Sequence, residues 1–214
     1  MLPFRQVEVS APVSSRITEM RVTEGEAVKA GQPLAQLYGK LEELEMQRAK
    51  ALLERREFEA KGAKRLYDSK IIPEARALES RIDLELARLQ YETAAEQVRL
   101  HTIVAPMDGV VVARYHEAGE AVSGAQPMFR LMDLSRVMIQ CAVSPGFLAA
   151  LTPGRKVRVL FPDPGGTMSA EGEVALVDPC ADAAGKVRVK VVVANPEGRF
   201  RAGLRAQVMV PEAP

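Results

Sequence analysis

The side chains of this 214-residue sequence best able to hold a metal or carry a reaction are few: two histidines, two cysteines and nine methionines. His101 and His116 have no Cys or carboxylate pattern around them with metal-ligand spacing, so each reads as a solvent-facing or strand-packed imidazole. Cys141 shares a strand face with Val137, Ile139 and Val143 and reads as an inert buried thiol, while Cys180 falls in a predicted turn. In an oxidising compartment the two could pair or stay free, and spacing decides neither. Thioethers suit soft cations such as copper or silver. Met107, Met128, Met132 and Met138 are scattered through β-type segments, however, which favours core packing. No Ser-His-Asp order or Gly-rich phosphate loop appears, and "PDPGG" at 162–166 reads as a turn. No enzymatic activity, cofactor or metal site is therefore expected.

Composition sets the frame for what else the chain can do. With 47% apolar residues it has the makings of a globular core, and its 214 residues suit one or two domains. A formal net charge of +1, from 29 basic and 28 acidic side chains, gives no reason to expect nucleic acid as a partner. There is no run of about 18 apolar residues to span a bilayer. The start, "MLPFRQVEVSAP", lacks the basic and apolar regions of a signal peptide. That leaves a cytoplasmic protein, or one whose export signal is not part of the sequence.

The strongest pattern is an internal repeat. "GEAVKAGQPLAQL" at 25–37 returns as "GEAVSGAQPMFRL" at 119–131, and the match extends back to "AP" at 11 and 105. Ala11, Pro12, Gly25, Glu26, Ala27, Val28, Gln32, Pro33 and Leu37 each recur 94 residues later without a gap. Two copies exclude a solenoid. Each copy is β-branched and alternating, with turn signals at Gly25 and Pro33 or Gly119 and Pro127. Two such β-units predict a small barrel or sandwich closing around a pseudo-twofold axis.

Between the copies, residues 39–100 have helix composition: beyond Gly39 they contain one Gly (Gly62) and one Pro (Pro73), and they are dense in Glu, Lys, Arg, Leu and Ala. Leu78, Ile82, Leu86 and Leu89 recur at helical spacing in the second arm, and Leu37, Leu41, Leu44, Leu52 and Leu53 less regularly in the first. "YDSKIIPEAR" breaks the run; Pro73 suits the first turn of a new helix, with Glu74 favourable near its N-terminus. The expectation is a helical hairpin with arms on the order of 40 Å. Ile71 and Ile72, flanked by Lys70 and Arg76, fall at its tip, where exposed apolar side chains point either to a contact with another protein or to a tip packed on itself. After Leu134, five short period-two runs punctuated by "TPG", "DPCADAAG" and "NPEGRFRAG" read as a small antiparallel β-barrel.

These parts carry a family resemblance. Two lipoyl-type half-motifs split by a hairpin, followed by "LTPGRKVRV", "GEVALVDP" and "VKVVVANPEGRFRAGLRAQVMV", resemble the membrane fusion proteins, also called periplasmic adaptor or haemolysin-secretion-D-like proteins. "TIVAPMDGVV" and "NPEGRFRAGLRAQV" are the most specific elements, and the resemblance covers about residues 9–211. It implies a mixed α and β, elongated, multidomain chain. Residues 1–38 and 101–134 would form a lipoyl-like β-sandwich, 39–100 the coiled-coil hairpin and 135–214 the β-barrel. It further implies a periplasmic adaptor of a tripartite pump, anchored to or associated with the inner membrane. Such an adaptor joins a proton-driven or ATP-driven inner-membrane transporter to a TolC-like outer-membrane channel and forms a homo-oligomeric ring.

On that resemblance the hairpin tip, Leu66, Lys70, Ile71, Ile72 and Pro73, is the expected channel contact, and the exposed loops of the barrel the expected pump contact. Many drug-efflux adaptors carry an Arg, a Leu four residues on and a Ser seven further on at the tip. Here Leu66 matches, but the Arg position is Gly62 and the Ser position is Pro73, so the channel could be met differently. The family's membrane-proximal domain, built from both chain ends, also has no counterpart in this span. Two rival readings remain: a lipoyl or biotinyl carrier subunit of an enzyme, and an envelope scaffold unrelated to transport. The carrier needs a Lys at the turn between the half-motifs; the nearest, Lys40, begins a helix and lacks the context of a modified site.

Overall fold

The computed structural model describes residues 1–163 and 166–210. Strand β1 (Leu2–Ser10) leads into the first half-motif, made of β2 (Ser15–Met20), β3 (Ala27–Val28) and β4 (Pro33–Leu37). The second comprises β5 (Thr102–Val104), β6 (Gly109–Arg114), β7 (Ala121–Val122) and the start of β8 (Pro127–Val143).

The repeat explains how the halves close. Ala11 N–H donates to Gln126 O (2.9 Å), and 94 residues later Ala105 N–H donates to Gln32 O (2.9 Å). Gly25 N–H reaches Val111 O as Gly119 N–H reaches Ile17 O, and Ile17 N–H reaches Glu120 O as Val111 N–H reaches Glu26 O. Each bond has its twin across the pseudo-twofold axis, so neither copy satisfies these backbone groups alone. The side chains of Gln32 and Gln126 do equivalent local work, accepting from Lys29 N–H and Ser123 N–H, both at 3.0 Å. Positive φ angles at Gly25 (86°) and Gly119 (96°) account for glycine in both copies. Inside, Ile17, Leu34 and Leu37 of the first copy pack in one core with Val111, Met128 and Leu131 of the second.

The inserted segment forms α1 (Lys40–Asp68) and α2 (Glu74–Arg99). Leu37 is not part of the hairpin but a buried residue of β4. The hairpin is as expected, and its seam is built from residues other than the regular leucine series. The more protected residues recur at alternating spacings of three and four: Met46, Ala49, Leu53, Arg56, Ala60 and Ala63 on α1, and Ala77, Ser80, Leu84, Ala87, Tyr91, Ala94 and Val98 on α2. Alanine dominates this seam, which lets the helices approach closely. The leucine series Leu78, Ile82, Leu86 and Leu89 lies outside it, with side chains between 46% and 54% exposed, as do Leu41 and Leu44. Arg56 lies in the seam and pairs across it with Asp83 at 3.2 Å.

Strand β8 runs for 17 residues through two cores. Its Phe129 and Leu131 are buried in the sandwich, and its Val137 and Ile139, on the same face, are buried in the second core. There β9 (Lys156–Asp163), β10 (Gly166–Ala181), β11 (Val187–Ala194) and β12 (Gln207–Met209) complete the small antiparallel barrel in the order β12-β9-β10-β11-β8. Part of the "PDPGG" turn, Pro164 and Gly165, lies outside the described residues.

One buried polar side chain holds the junction between the cores. Asn195 is 2% exposed; its Nδ2 donates to Leu134 O (2.8 Å) and Phe200 O (3.0 Å), and its Oδ1 accepts from Phe200 N–H (2.7 Å). Its own N–H reaches Ser135 O, and Phe200 stacks on Phe161 with ring centroids 3.9 Å apart. This gives "NPEGRF" its structural meaning. Replacing Asn195 by Ala removes the partner of two part-buried carbonyls and an N–H, and should cost about 2–3 kcal/mol in urea unfolding with an unchanged denaturant slope.

Candidate functional site

Helix α1 ends in a tight backbone cap that shapes the tip. Lys70 N–H donates to Tyr67 O and Ile71 N–H to Leu66 O, both at 2.8 Å, the pair of bonds that defines a Schellman motif. In that motif the residue after the cap takes a left-handed conformation, usually as glycine; here it is Lys70, at φ 58°. A lysine held there is a local strain, and such strain concentrates where a surface is used. The same cap turns the chain back so that Leu66 and Ile71 fall at equivalent ends of one hydrogen-bonded loop.

The five expected tip residues are brought together in this turn, but they differ in exposure. Ile71 is 68% exposed and Leu66 43%, and Lys70 and Pro73 are also exposed. Ile72, expected to be exposed with Ile71, is half-buried. Pro73 itself is the N-cap of α2, one residue ahead of the first helical turn expected for it. Just behind the tip a groove of about 570 Å³ opens between the helices, lined by Lys61, Lys64, Tyr67, Leu78 and Arg81 among others. Tyr67, 40% exposed, and these three cations were not among the residues expected at the site. The signal available for Tyr67 was its place beside Leu66 in the last helical turn.

The other candidate side chains stand apart. His101, expected on a surface or strand face, is buried beneath the base of the hairpin, with Nδ1 2.9 Å from Gln97 O and Nε2 3.8 Å from Glu42. It fits only because residue 39 is glycine: a Cβ there would lie 2.8 Å from the His101 ring. His116 pairs with Glu120 at 2.7 Å. Cys141 is on β8, half-buried, with its thiol pushed up by burial and its Sγ directed at Val189 O. Cys180 lies in β10 rather than in a turn, is exposed, and is separated from Cys141 by β11; both are free. Among the described residues no three His, Cys, Asp or Glu side chains converge as a metal site, and no helix is long and apolar enough to cross a membrane.

Comparison with known proteins gives a consistent picture. A family model described as "RND MFP, barrel-sandwich hybrid domain" matches residues 5–134, and one described as "CusB-like, beta-barrel domain" matches residues 136–214. The chain is 27% identical to the nodulation protein NolF of Rhizobium meliloti, over 95% of its own length and 59% of that protein. It is 25% identical to the nickel and cobalt resistance protein CnrB of Cupriavidus metallidurans, over 97% of its length and 55% of that protein. The chain thus spans less than two thirds of these relatives. A crystal structure of a MacA-MexA chimera carrying the Pseudomonas aeruginosa MexA hairpin superposes with a TM-score of 0.83 at 24% identity, covering 96% of this chain and 76% of the other.

Lys70→Gly removes the left-handed strain at φ 58° and should stabilise the chain by about 1 kcal/mol without changing its helix content, measured by thermal unfolding followed by circular dichroism.

Proposed function

The chain belongs to the RND membrane fusion proteins, adaptors of efflux pumps, and on that premise we propose that it links an inner-membrane transporter to a TolC-like outer-membrane channel. The work is done by protein contacts in the periplasm, on the outer side of the inner membrane. The observation that carries this reading is an exposed apolar side chain, Ile71, held by a strained cap at the end of a projecting hairpin. An apolar residue in that position has no neighbours of its own to cover it. In this reading Leu66, Lys70, Ile71, Ile72 and Pro73 meet the channel, and the loops of the barrel meet the pump, whether proton-driven or ATP-driven. The working units are residues 1–38 with 101–134, residues 39–100 and residues 135–214. Several copies form a ring, and coupling between pump and channel is mechanical.

The carrier alternative has lost the turn it requires. Lys40 opens α1, and its Nζ pairs with Glu43 at 3.1 Å, so it is not presented on the tight β-turn a swinging arm needs.

The test is photo-crosslinking in the native host from a reactive amino acid placed at Ile71 of the full-length protein, with partners identified by mass spectrometry. An outer-membrane channel is the expected partner; a pump, or only a second copy of the protein, would overturn the assignment of the tip. Ile71→Asp should keep the fold within about 1 kcal/mol, as exposed substitutions do, and abolish transport.

A further inference from the structure

The foot of the hairpin holds a titratable group that the proposed function does not use. His101 follows directly on Leu100, the C-cap of α2, and its side chain is 7% exposed. Nδ1 lies 2.9 Å from the carbonyl of Gln97, which can only accept, so Nδ1 carries the hydrogen of the neutral ring. Nε2 then offers a lone pair, and it faces the carboxylate of Glu42 at 3.8 Å. Two acceptors meet there, and no hydrogen bond joins them.

The ring is fixed in place. A Cβ at residue 39 would lie 2.8 Å from it on one side, and the contact with Gln97 O pins its Nδ1 edge. The partner free to move is Glu42, whose side chain is 35% exposed in the first turn of α1. The other charges at the foot are exposed and committed elsewhere: Lys40 to Glu43 at 3.1 Å, Arg99 to Glu96, and Arg16 over the ring of Tyr38. From β4 and β5 come only uncharged groups, the amide of Gln36, which bonds His101 O, and the hydroxyl of Thr102. Among the described residues, Glu42 is therefore the one carboxylate within 4.0 Å of the imidazole.

We propose that His101 and Glu42 form a proton-operated staple, which ties the first turn of α1 to the last turn of α2 in acid and loosens above neutral pH. A proton taken from solvent by Nε2 turns that nitrogen into a donor aimed at the carboxylate, so one imidazolium bonds Gln97 of α2 and Glu42 of α1 together. The geometry suits both charges: a cation beside the C-terminus of α2 and an anion in the first turn of α1 each complement the helix dipole they meet. Imidazole is the side chain whose charge ordinarily changes between about pH 5 and 8. His116 has no such role, because its partner Glu120 lies four residues on in the same loop and joins no second element. The staple sets how firmly the arms rise from the sandwich, and it needs neither pump nor channel.

The test follows amide hydrogen exchange of the full chain at about pH 5.5 and about pH 8, with rates corrected for intrinsic exchange. Protection of residues 43–46 and 98–101 should be about threefold or more higher in acid, while that of β6 stays unchanged. Glu42→Gln should erase this gain with unchanged helix content, because its amide can meet the neutral ring as well as the charged one. His116→Gln should keep the gain in full. In parallel, the ring nitrogens of His101, followed by NMR, should pass from a neutral ring protonated at Nδ1 to a doubly protonated one over the same interval. Equal protection at both pH values in the wild type, a gain that survives Glu42→Gln, one lost in His116→Gln, or a ring still neutral in acid would overturn the staple.

Discussion

The structure depends on a set of backbone hydrogen bonds that no half of the chain can make by itself. Every bond from the first copy to the second, such as Ala11 to Gln126, is returned by its partner 94 residues on, here Ala105 to Gln32. Unpaired, those groups would be buried donors and acceptors with nothing to bond. Their closure brings the ends of the two half-motifs together: Leu37 N–H bonds His101 O at 2.7 Å, and the Gln36 side chain bonds both His101 O and Thr102 Oγ1. Only on that base can two helices rise as a pair, and only Gly39 leaves room for the imidazole wedged beneath them.

The second dependence is on β8. One strand contributes Phe129 and Leu131 to the sandwich and Val137 and Ile139 to the barrel, with the polar Asp133 and Ser135 between them on the same face. Strand β1 pairs along it from Leu2 opposite Met138 to Ser10 opposite Pro127, and Asn195 grips its midpoint through Leu134 O. Sandwich and barrel therefore share a two-stranded ribbon, not a flexible tether. A force applied to the barrel reaches the sandwich through hydrogen-bonded strands.

Much of this architecture was legible in the sequence because it rests on local signals. The repeat located the sandwich, and the loss of Gly and Pro from 39 to 100 located the helices. The regular apolar series marked the helix without showing which face packs within the chain. Leu78, Ile82, Leu86 and Leu89 are larger and more conspicuous than Ala77, Ala87 and Ala94, yet the alanines form the seam. Periodicity reports that a face is apolar, and says nothing of whether the cover is intramolecular. The tip was legible in position but not in detail, since Lys70 is an unusual residue for a left-handed cap and nothing in the local pattern separates half-buried Ile72 from exposed Ile71. Asn195 and His101 were out of reach for another reason. Their partners at Leu134, and at Gly39 and Glu42, are some 60 residues away in the chain, and no spacing rule connects them.

The hairpin also has a consequence for how the chain finds its structure. The two half-motifs must meet across about 60 intervening residues, and closing a flexible loop of that length costs on the order of 3–4 kcal/mol in chain entropy. Two helices zipped along neighbouring turns form through contacts that grow outward from residues 69–73, each closing only a few more residues than the last. When that zipper reaches Gly39 and His101, the ends of the half-motifs are already adjacent. The element that projects from the folded molecule is, during folding, the clasp that draws its two halves together.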